Sequence, residues 1–338
     1  MTAHNSIISP VNPHKLAEFG IGIGHTSHPM LGTGMTVITA ARGASAGVDV
    51  RGGGPATRET DLLAAHNLVE KVHAIVLSGG SAFGLACVQG VVEKLEQIGI
   101  GLNVGPTVVP IVPAACLFDL NFIQHEVRPT PQDGAAATMQ ALNNPDYLSQ
   151  GNVGAGTGAT VGKVLGPAWA TKGGLGIAGM QSGELYAFAV CACNALGDII
   201  DPTTNEIVAG IQLTNPHAIS NSRDALLHTT LASDGKMPLS GTNTTISCVI
   251  TNATLTKAQC TKVAQIAHDA YARCINPTHT TNDGDTIFCL ATGDLPFKAG
   301  HVDAAGVLCE TALEQAIMNA VRHAEPLNNP QAAAAPKS

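Results

Sequence analysis

The stretch Gly241-Thr-Asn-Thr-Thr-Ile-Ser247 decides how this chain is interpreted. It follows residues 233–240, which are rich in turn-favouring residues, and it runs into residues 246–251, where β-branched residues predominate. We therefore expect Thr244 to lie where a loop enters a buried strand. A hydroxyl at such a junction is held rigidly on the strand side and can be reached from the loop side.

Thr244 can act as a nucleophile in two successive ways. In the intact chain its Oγ could attack the carbonyl carbon of Asn243, which moves the acyl group from nitrogen to oxygen, and water would then cleave the ester. Thr244 would become a new N-terminus, with a free α-amine close to its own hydroxyl. The reference pKa of that amine, about 7.7–8.0, leaves a neutral fraction near pH 7 that can serve as general base.

Other interpretations of these residues remain open. Asn243-Thr-Thr245 matches a glycosylation sequon and also fits an ordinary junction between loop and strand. Ser45 is a rival nucleophile, because Gly43-Ala-Ser-Ala-Gly47 matches the Gly-x-Ser-x-Gly pattern of hydrolases. That pattern requires a helix directly after the serine, whereas residues 48–54 are typical of strand and loop. We therefore interpret Ser45 as a turn residue. The histidines that could supply a triad base are interpreted as structural or solvated; they are His25, His28, His73, His125 and His279.

Composition limits the class of protein. The chain has 338 residues, of which 45% are hydrophobic and only 12% charged, and its formal net charge is -8. The negative charge argues against nucleic acid and anionic membrane surfaces as partners. The low charged fraction indicates that much of the surface is covered, as in a homo-oligomer. We find no signal-peptide pattern and no apolar run long enough to span a bilayer, so we expect a cytoplasmic protein.

The cysteines indicate a reducing compartment rather than a metal site. There are nine of them, they lie mostly in apolar segments, and no Cys-x-x-Cys pair occurs. No ligand spacing supports zinc. A calcium-type interpretation of Asp283-Gly-Asp285 fails because no further acidic residues follow at suitable spacing. We therefore expect neither a metal nor a cofactor.

Two glycine-rich runs could place backbone N–H groups around a substrate. Gly79-Gly-Ser-Ala-Phe-Gly84 follows an apolar strand and opens a helix, so that Ser81 could either line a pocket or cap the helix. The run lacks the Gly-Lys-Ser/Thr ending of a phosphate loop. The second run, from Gly151 to Lys163, suits a carbonyl oxygen or an oxyanion. Lys163 could equally be an ordinary solvated surface lysine.

Three polar side chains complete the candidate site. Asn194 ends a long predicted strand, and its amide NH2 can donate to an oxyanion without carrying charge, although asparagine also commonly starts a turn. Asp283 and Asp285 are two residues apart in extended chain, so their carboxylates can face the same side.

Several of these motifs occur together, in the same order, in one family. The motifs resemble those of the self-cleaving amidases of the P1 peptidase family, which includes D-aminopeptidase/esterases, β-aminopeptidases and nylon-oligomer endo-hydrolases. The resemblance extends from about residue 20 to residue 320. It is carried by Gly47-Val-Asp-Val-Arg-Gly-Gly53, Thr57-Arg-Glu-Thr-Asp-Leu-Leu63, the glycine run that ends at Lys163, Asn243-Thr-Thr245 and Asp283-Gly-Asp-Thr286.

The resemblance implies an α/β fold, a four-layer αββα sandwich of the N-terminal-nucleophile-hydrolase type. It also implies self-cleavage between Asn243 and Thr244. Residues 1–243 would form the larger subunit and residues 244–338 the smaller one, the two together making one structural domain. The expected assembly is a homo-oligomer, a tetramer of cleaved heterodimers.

The resemblance also assigns roles. Thr244 would be nucleophile and, through its amine, general base, while Asn194 would donate to the oxyanion. Lys163 would lower the pKa of the amine, and Asp283 and Asp285 would raise it and orient the ammonium.

Two further positions would contact the substrate, Ser81 and Phe118. Several relatives carry a tyrosine where this chain has Phe118, and the tyrosine hydroxyl is thought to help hold the reacting oxygen. This chain lacks that hydroxyl.

The resulting expectation is an amide-bond hydrolase that needs no cofactor. Candidate substrates are short peptides with free N-termini, β-peptides, or linear amide oligomers such as 6-aminohexanoate (nylon) oligomers. An acyltransferase similar to the ornithine acetyltransferases is the alternative activity. A third possibility is a binding protein in which the glycine runs hold an anion and Thr244 is inert.

Overall fold

A computed structural model describes residues 7–325 except 146, 213–220, 233–242, 297 and 299. The turn-rich segment expected at 233–240, together with Gly241 and Thr242, lies outside the described residues. Asn243 and Thr244 are described, and the chain is continuous between them.

The described part of the chain contains seventeen strands and five α-helices, besides short 3₁₀ helices. The strands are Ser9–Pro10 (β1), Ile21–His28 (β2), Thr33–Val50 (β3), Ala56–Arg58 (β4), Lys71–Ser78 (β5), Leu102–Asn103 (β6), Val108–Val109 (β7), Ala114–Cys116 (β8), Thr160–Val161 (β9), Thr171–Lys172 (β10), Gly174–Ser182 (β11), Leu185–Asn194 (β12), Asp198–Ile200 (β13), Ile207–Ala209 (β14), Thr244–Ala253 (β15), Ile275–Asn276 (β16) and Thr286–Leu295 (β17). The helices are Cys87–Gln97 (α1), Pro131–Asn143 (α2), Ser222–Ala232 (α3), Lys257–Cys274 (α4) and His301–Arg322 (α5).

The main sheet is mixed and has ten strands. Its order is β1-β11-β12-β15-β17-β3-β5-β8-β4, with β2 also paired to β3. The 18-residue strand β3 joins the two arms of this sheet. Its first half pairs with β2 and β5, its second half pairs with β17, and the register with β5 shifts between Thr39 and Ala44. The α/β class expected from the sequence is confirmed.

Three large hydrophobic clusters hold the main sheet and the helices packed on it together. One packs α4 and α5 against β11, β12, β15 and β17. A second packs α1 and α2 against the β3–β5 arm, through Met35, Val37, Ala74 and Val76. The third contains side chains from both arms of the sheet, such as Ile38 and Ile75 from one arm and Phe188 and Phe288 from the other.

Alternate side chains of strand β12 are buried on opposite faces of the sheet. Its odd positions from Leu185 to Cys193 are small or aliphatic and face the helices α4 and α5, in the first cluster. Its even positions Phe188, Val190 and Ala192 belong to the cluster shared by the two arms. A strand buried on both faces has no polar side, and this explains the long apolar run read in the sequence.

Local expectations are mostly confirmed, with three corrections. The sequence predicts that Thr256 caps a helix through roughly Cys274, and Thr256 does cap α4, in a capping box with Gln259. Ser81 does not cap a helix: it is the first residue of the 3₁₀ helix Ser81–Ala86, it has φ of 54°, and the N-cap is Gly80. Ser45 lies within β3, paired with Lys71 and Ala291, rather than in a turn.

The sequence predicts Asp303 as the cap of the last helix, but the helix begins two residues earlier, at His301. Its N-cap is Gly300, with no side-chain cap bond, and Asp303 lies in the first helical turn. An acidic side chain there still favours the positive end of the helix dipole. Among the described helices, none is both long and apolar enough to cross a membrane.

Candidate active site

Strand pairing brings the candidate residues to one end of the sheet. Asn194 is the last residue of β12 and lies directly opposite Thr244, the first residue of β15. On the other side of β15, the parallel strand β17 begins at Thr286, which pairs with Ile246. The loop that carries Asp283 and Asp285 therefore approaches Thr244 from the side opposite to Asn194.

The carbonyl group of the peptide bond that we expect to be cleaved, between Asn243 and Thr244, accepts two hydrogen bonds. The hydroxyl of Thr244 donates to the carbonyl oxygen of Asn243. The same carbonyl oxygen accepts the backbone N–H of Gly284 at 3.1 Å. Thr244 is only 3% exposed in this continuous chain, so the hydroxyl that we expected to be reachable is buried.

Asn243 is buried as well, with 1% of its surface exposed. Neither its side-chain oxygen nor its side-chain nitrogen has a hydrogen-bond partner among the described residues. A glycan cannot be attached to a side chain in this position of the folded chain, which argues against the sequon interpretation. A buried amide without partners destabilises the structure around it, by roughly 1–3 kcal/mol per unsatisfied group.

Lys163 is not a surface lysine. It is 2% exposed, and its Nζ donates to the backbone oxygen and to Oδ1 of Asn194, both at 2.8 Å. The backbone N–H of Thr160 donates to the same Oδ1 at 3.0 Å. Asn194 Nδ2 in turn donates to the carbonyl oxygen of Phe118 at 3.0 Å. The second glycine run and Asn194 are thus locked together.

Burial shifts the proton equilibria of two site residues. Desolvation lowers the pKa of Lys163 to about 7, opposed by the attraction of Asp283, Asp119 and Asp285. Desolvation, together with the charge of Asp285, raises the pKa of Asp283 to about 6. Near neutral pH the lysine is therefore partly uncharged. Asp283 is mostly ionised there and takes up a proton as the pH falls through about 6.

The two carboxylates bind the chain around them. Asp283 Oδ2 accepts the backbone N–H and the hydroxyl of Thr280, at 3.0 and 2.6 Å. Asp285 Oδ1 accepts the N–H of Thr245 at 2.8 Å, one residue beyond the candidate nucleophile. Asp285 Oδ2 accepts the N–H and Nδ1–H of His279, at 3.0 and 2.9 Å, and the hydroxyl of Thr278 at 3.2 Å.

The two predicted substrate contacts lie on a neighbouring segment. Phe118 is partly exposed and touches Asn194 through its carbonyl oxygen. The backbone N–H of Ser81 donates to the carbonyl oxygen of Leu117 at 2.9 Å, and Ser81 is partly exposed. Within the described residues, no hydrogen bond joins Ser81 to Thr244 or Asn194.

Sequence reasoning gave no role in the site to four residues of this region. Gly284 and His279 lie in the loop before β17, and their closeness to Asp283-Gly-Asp285 in the sequence was a usable signal. Asp119 is buried beside Phe118 and accepts from Thr33 and Gly80. Lys172 is fully buried and carries no local signal in the sequence.

One cavity adjoins the loop that contacts the candidate scissile carbonyl. It has a volume of about 420 Å³ and lies between α3 and residues 280–282. Its α3 wall consists of Leu226, Leu227, Thr230 and Leu231. A larger cavity of about 530 Å³ lies between β3, α4 and residues 60–65, and none of the candidate site residues lines it.

Comparison with known families identifies the chain. The model of peptidase family S58 matches residues 19–334, nearly the whole length. The chain belongs to peptidase family S58. The family resemblance carried by the sequence motifs is therefore confirmed.

The curated relatives of this S58 peptidase include aminopeptidases and oligomer endohydrolases by name. An uncharacterized aminopeptidase of Mycobacterium leprae is 39% identical over 316 residues, which cover 86% of this chain and 83% of that protein. The 6-aminohexanoate-oligomer endohydrolase of Paenarthrobacter ureafaciens is 28% identical over 320 residues, which cover 89% of this chain and 84% of that protein.

Solved structures share the fold at low sequence identity. The L-aminopeptidase D-Ala-esterase/amidase of Ochrobactrum anthropi, described as a new variant among the Ntn hydrolase folds, has a TM-score of 0.63 and 16% identity. The match covers 94% of this chain and 89% of that one. A Burkholderia β-aminopeptidase has a TM-score of 0.60 and 19% identity, and the match covers 92% and 86%. This S58 peptidase thus shares its fold with these two enzymes over nearly its whole length.

Proposed function

We propose that this S58 peptidase is an amide-bond hydrolase whose nucleophile is Thr244, released as a new N-terminus when the chain cuts itself after Asn243. The observation that carries the proposal is the contact at the scissile bond. The Thr244 hydroxyl is hydrogen-bonded to the carbonyl of Asn243, and Gly284 N–H donates to the same oxygen at 3.1 Å. A nucleophile and a backbone donor on one peptide carbonyl are the parts that an acyl shift needs.

Self-cleavage would proceed in two steps. Thr244 Oγ attacks the Asn243 carbonyl carbon, the carbonyl oxygen gains charge against the Gly284 N–H, and the C–N bond breaks as the nitrogen takes a proton. Water then hydrolyses the ester, which leaves a carboxylate on Asn243 and a free α-amine on Thr244. Release of Asn243 from its buried position, where its amide has no partner among the described residues, favours this direction.

Hydrolysis of a substrate would use the same atoms again. The α-amine takes the proton from Oγ as it attacks the substrate carbonyl, and the resulting ammonium gives that proton to the leaving amine. The acyl ester on Thr244 is then hydrolysed by water. Asn194 Nδ2 carries two hydrogens, one of which bonds Phe118, and the second is available for the substrate oxyanion.

Lys163, Asp283 and Asp285 would set the pKa of that amine. The carboxylates favour the ammonium, and a charged Lys163 opposes it. Because burial lowers the pKa of Lys163 to about 7, this opposition fades as the pH rises above 7. The lysine then acts mainly by holding Asn194 in place.

The architecture proposed for this reaction is the four-layer αββα sandwich. The two arms of the ten-stranded sheet would face each other across the cluster that both contribute to, with α4 and α5 outside one arm and α1 and α2 outside the other. Residues 1–243 and 244–338 would remain one domain after cleavage, because β15 and β17 lie between β12 and β3 in the sheet.

The substrates would be short peptides or linear amide oligomers with an apolar portion. The names of the relatives, aminopeptidase and 6-aminohexanoate-oligomer endohydrolase, favour these classes. The cavity of about 420 Å³ beside residues 280–282, with three leucines in its wall, could take an apolar chain.

The test compares two neighbouring threonines. Each variant is incubated with a panel of amino-acid amides, dipeptides and 6-aminohexanoate oligomers, and the products are measured by mass spectrometry. Thr244→Val is expected to abolish hydrolysis of the whole panel. Thr245→Val is the matched control, because the Thr245 hydroxyl has no partner among the described residues while its N–H, which binds Asp285, is retained. It should keep most of the activity.

Two outcomes would overturn the proposal. Hydrolysis by Thr244→Val at the parent rate would show that the nucleophile lies elsewhere. Acyl transfer to an added amine such as ornithine, without hydrolysis in its absence, would favour an acyltransferase instead.

A further inference from the structure

His279 lies against the carboxylate that holds the start of the nucleophile strand. Its Nδ1 is 2.9 Å from Asp285 Oδ2, and its backbone N–H donates to the same oxygen at 3.0 Å. Because an ionised carboxylate only accepts, the Nδ1 of His279 carries the hydrogen. The other carboxylate oxygen, Oδ1, accepts the N–H of Thr245 at 2.8 Å. One carboxylate therefore links the imidazole to the peptide that follows Thr244.

The imidazole is held by two other rings. The His268 ring lies edge-on with its centroid 4.8 Å away, and the Tyr271 ring lies at 5.9 Å. His268 donates from Nε2 to the carbonyl oxygen of Asp49 on β3 at 3.1 Å. Tyr271 shares a hydrogen bond of 2.7 Å with Ser247 on β15. Both supporting rings are themselves fixed, so the direction of the His279 N–H is fixed too.

The backbone of His279 is also unusual. Its φ is 56°, in the left-handed region that non-glycine residues rarely adopt. The backbone N–H and the ring Nδ1 of His279 both reach the same oxygen of Asp285 in this conformation. Histidine, asparagine and aspartate enter this region more often than other side chains do.

We propose that His279 is a positioning residue for the reaction at Thr244, a role that rests on the proposed function. Its Nδ1–H holds Asp285 in the orientation that binds Thr245 N–H, and this sets the position of Thr244 in both self-cleavage and hydrolysis. His279 does not touch the reacting atoms. Loss of its donor is expected to lower the rate of reaction and to leave substrate affinity nearly unchanged.

Two substitutions separate the donor from the backbone conformation. Asparagine and glycine both tolerate positive φ, but only asparagine offers an N–H donor near the place of Nδ1. His279→Gly should therefore lower kcat about tenfold or more, with KM within about twofold of the parent, and should slow self-cleavage similarly. His279→Asn should restore most of both rates. Circular dichroism melting confirms that each variant is folded.

Thr278→Val is the matched control. It removes the hydroxyl that binds the same oxygen at the longer distance of 3.2 Å, and it should have a much smaller effect. A folded His279→Gly variant with the kcat of the parent would overturn the proposal, and so would a His279→Asn variant as impaired as His279→Gly. If the parent chain neither cleaves itself nor hydrolyses amides, the proposed function fails instead, which is a separate outcome.

Discussion

Gly284 is the residue whose lack of a side chain matters most at the candidate scissile bond. A Cβ placed there would lie 2.8 Å from the Oγ1 and 3.2 Å from the Cγ2 of Thr244. Gly284→Ala would therefore push the Thr244 hydroxyl away from the carbonyl of Asn243. We expect self-cleavage to slow about tenfold or more, measured as the loss of full-length chain on denaturing gels.

Gly54→Ala is the matched control for this substitution. A Cβ at Gly54 would meet only Asp283 O, at an ordinary 3.7 Å, although Gly54 also contacts the 280–284 loop. The Gly54→Ala chain should cleave itself at close to the parent rate. Equal cleavage rates in Gly284→Ala and the parent would show that Thr244 does not react from the position it has here.

Asp119 makes stability depend on pH. Burial raises its pKa to about 6, against the hydrogen bonds from Gly80 and Thr33 and the attraction of Lys163. Because the folded pKa lies above the unfolded one, the folded chain binds this proton more tightly. The stability it contributes is complete below about pH 4 and is lost as the pH rises through about 6.

The corresponding substitution is Asp119→Asn. It should flatten the fall of the unfolding free energy between pH 4 and pH 7, by up to about 3 kcal/mol. Urea unfolding of the Thr244→Ala chain at both pH values, with and without Asp119→Asn, measures the difference. Asp283 contributes in the same direction in both chains and cancels. Parallel pH curves would show that Asp119 is not shifted.

At the scale of elements, a buried lysine organises the second glycine run. Lys172 on β10 donates to the carbonyl oxygens of Gly156, Ala159 and Gly173, at 2.7 to 2.9 Å. Burial lowers its pKa to about 7, and the neutral amine keeps two hydrogens, enough for two of these three carbonyls at a time. The lysine thereby fixes the segment whose Thr160 N–H holds Asn194.

Lys172→Met should leave these carbonyls without that donor. We expect a loss of unfolding free energy on the order of 3 kcal/mol, measured by urea unfolding in the uncut Thr244→Ala chain. Lys71→Met, at an exposed position on β5, is the control and should change stability by less than about 0.5 kcal/mol. A Lys172→Met chain as stable as the control would contradict this role.

The elements that could be predicted from sequence are those with local causes. The helix cap at Thr256 and the long apolar strand β12 depend on residues a few positions apart. The course of β3 through both arms of the sheet could not be predicted, because its partners lie far away in the sequence. The burial of Lys163 has the same cause, since its partner Asn194 lies 31 residues away along the chain. The contact of His279 with Asp285 spans only six residues, but it depends on a positive φ at His279 that the sequence does not specify.

At the scale of the whole molecule, the strand order links cleavage to assembly. β15 lies between β12 and β17, and α4 and α5 cover that arm of the sheet. Cutting before Thr244 frees one strand end without removing any strand from the sheet. The two pieces should therefore stay associated until the protein is denatured. The homo-oligomer, with a tetramer as the expected form, stays a prediction that light scattering can test.

Mass spectrometry of the purified protein, first native and then denatured, tests the central claim most directly. Cleavage between Asn243 and Thr244 predicts pieces of 243 and 338 − 243 = 95 residues, roughly 25 and 10 kDa by proportion of the 34.4 kDa chain. The smaller piece should begin with Thr244, and the native complex should contain both pieces. The Thr244→Ala chain should stay whole. An active protein that remains one 338-residue chain, or a cut at another bond, would contradict the account.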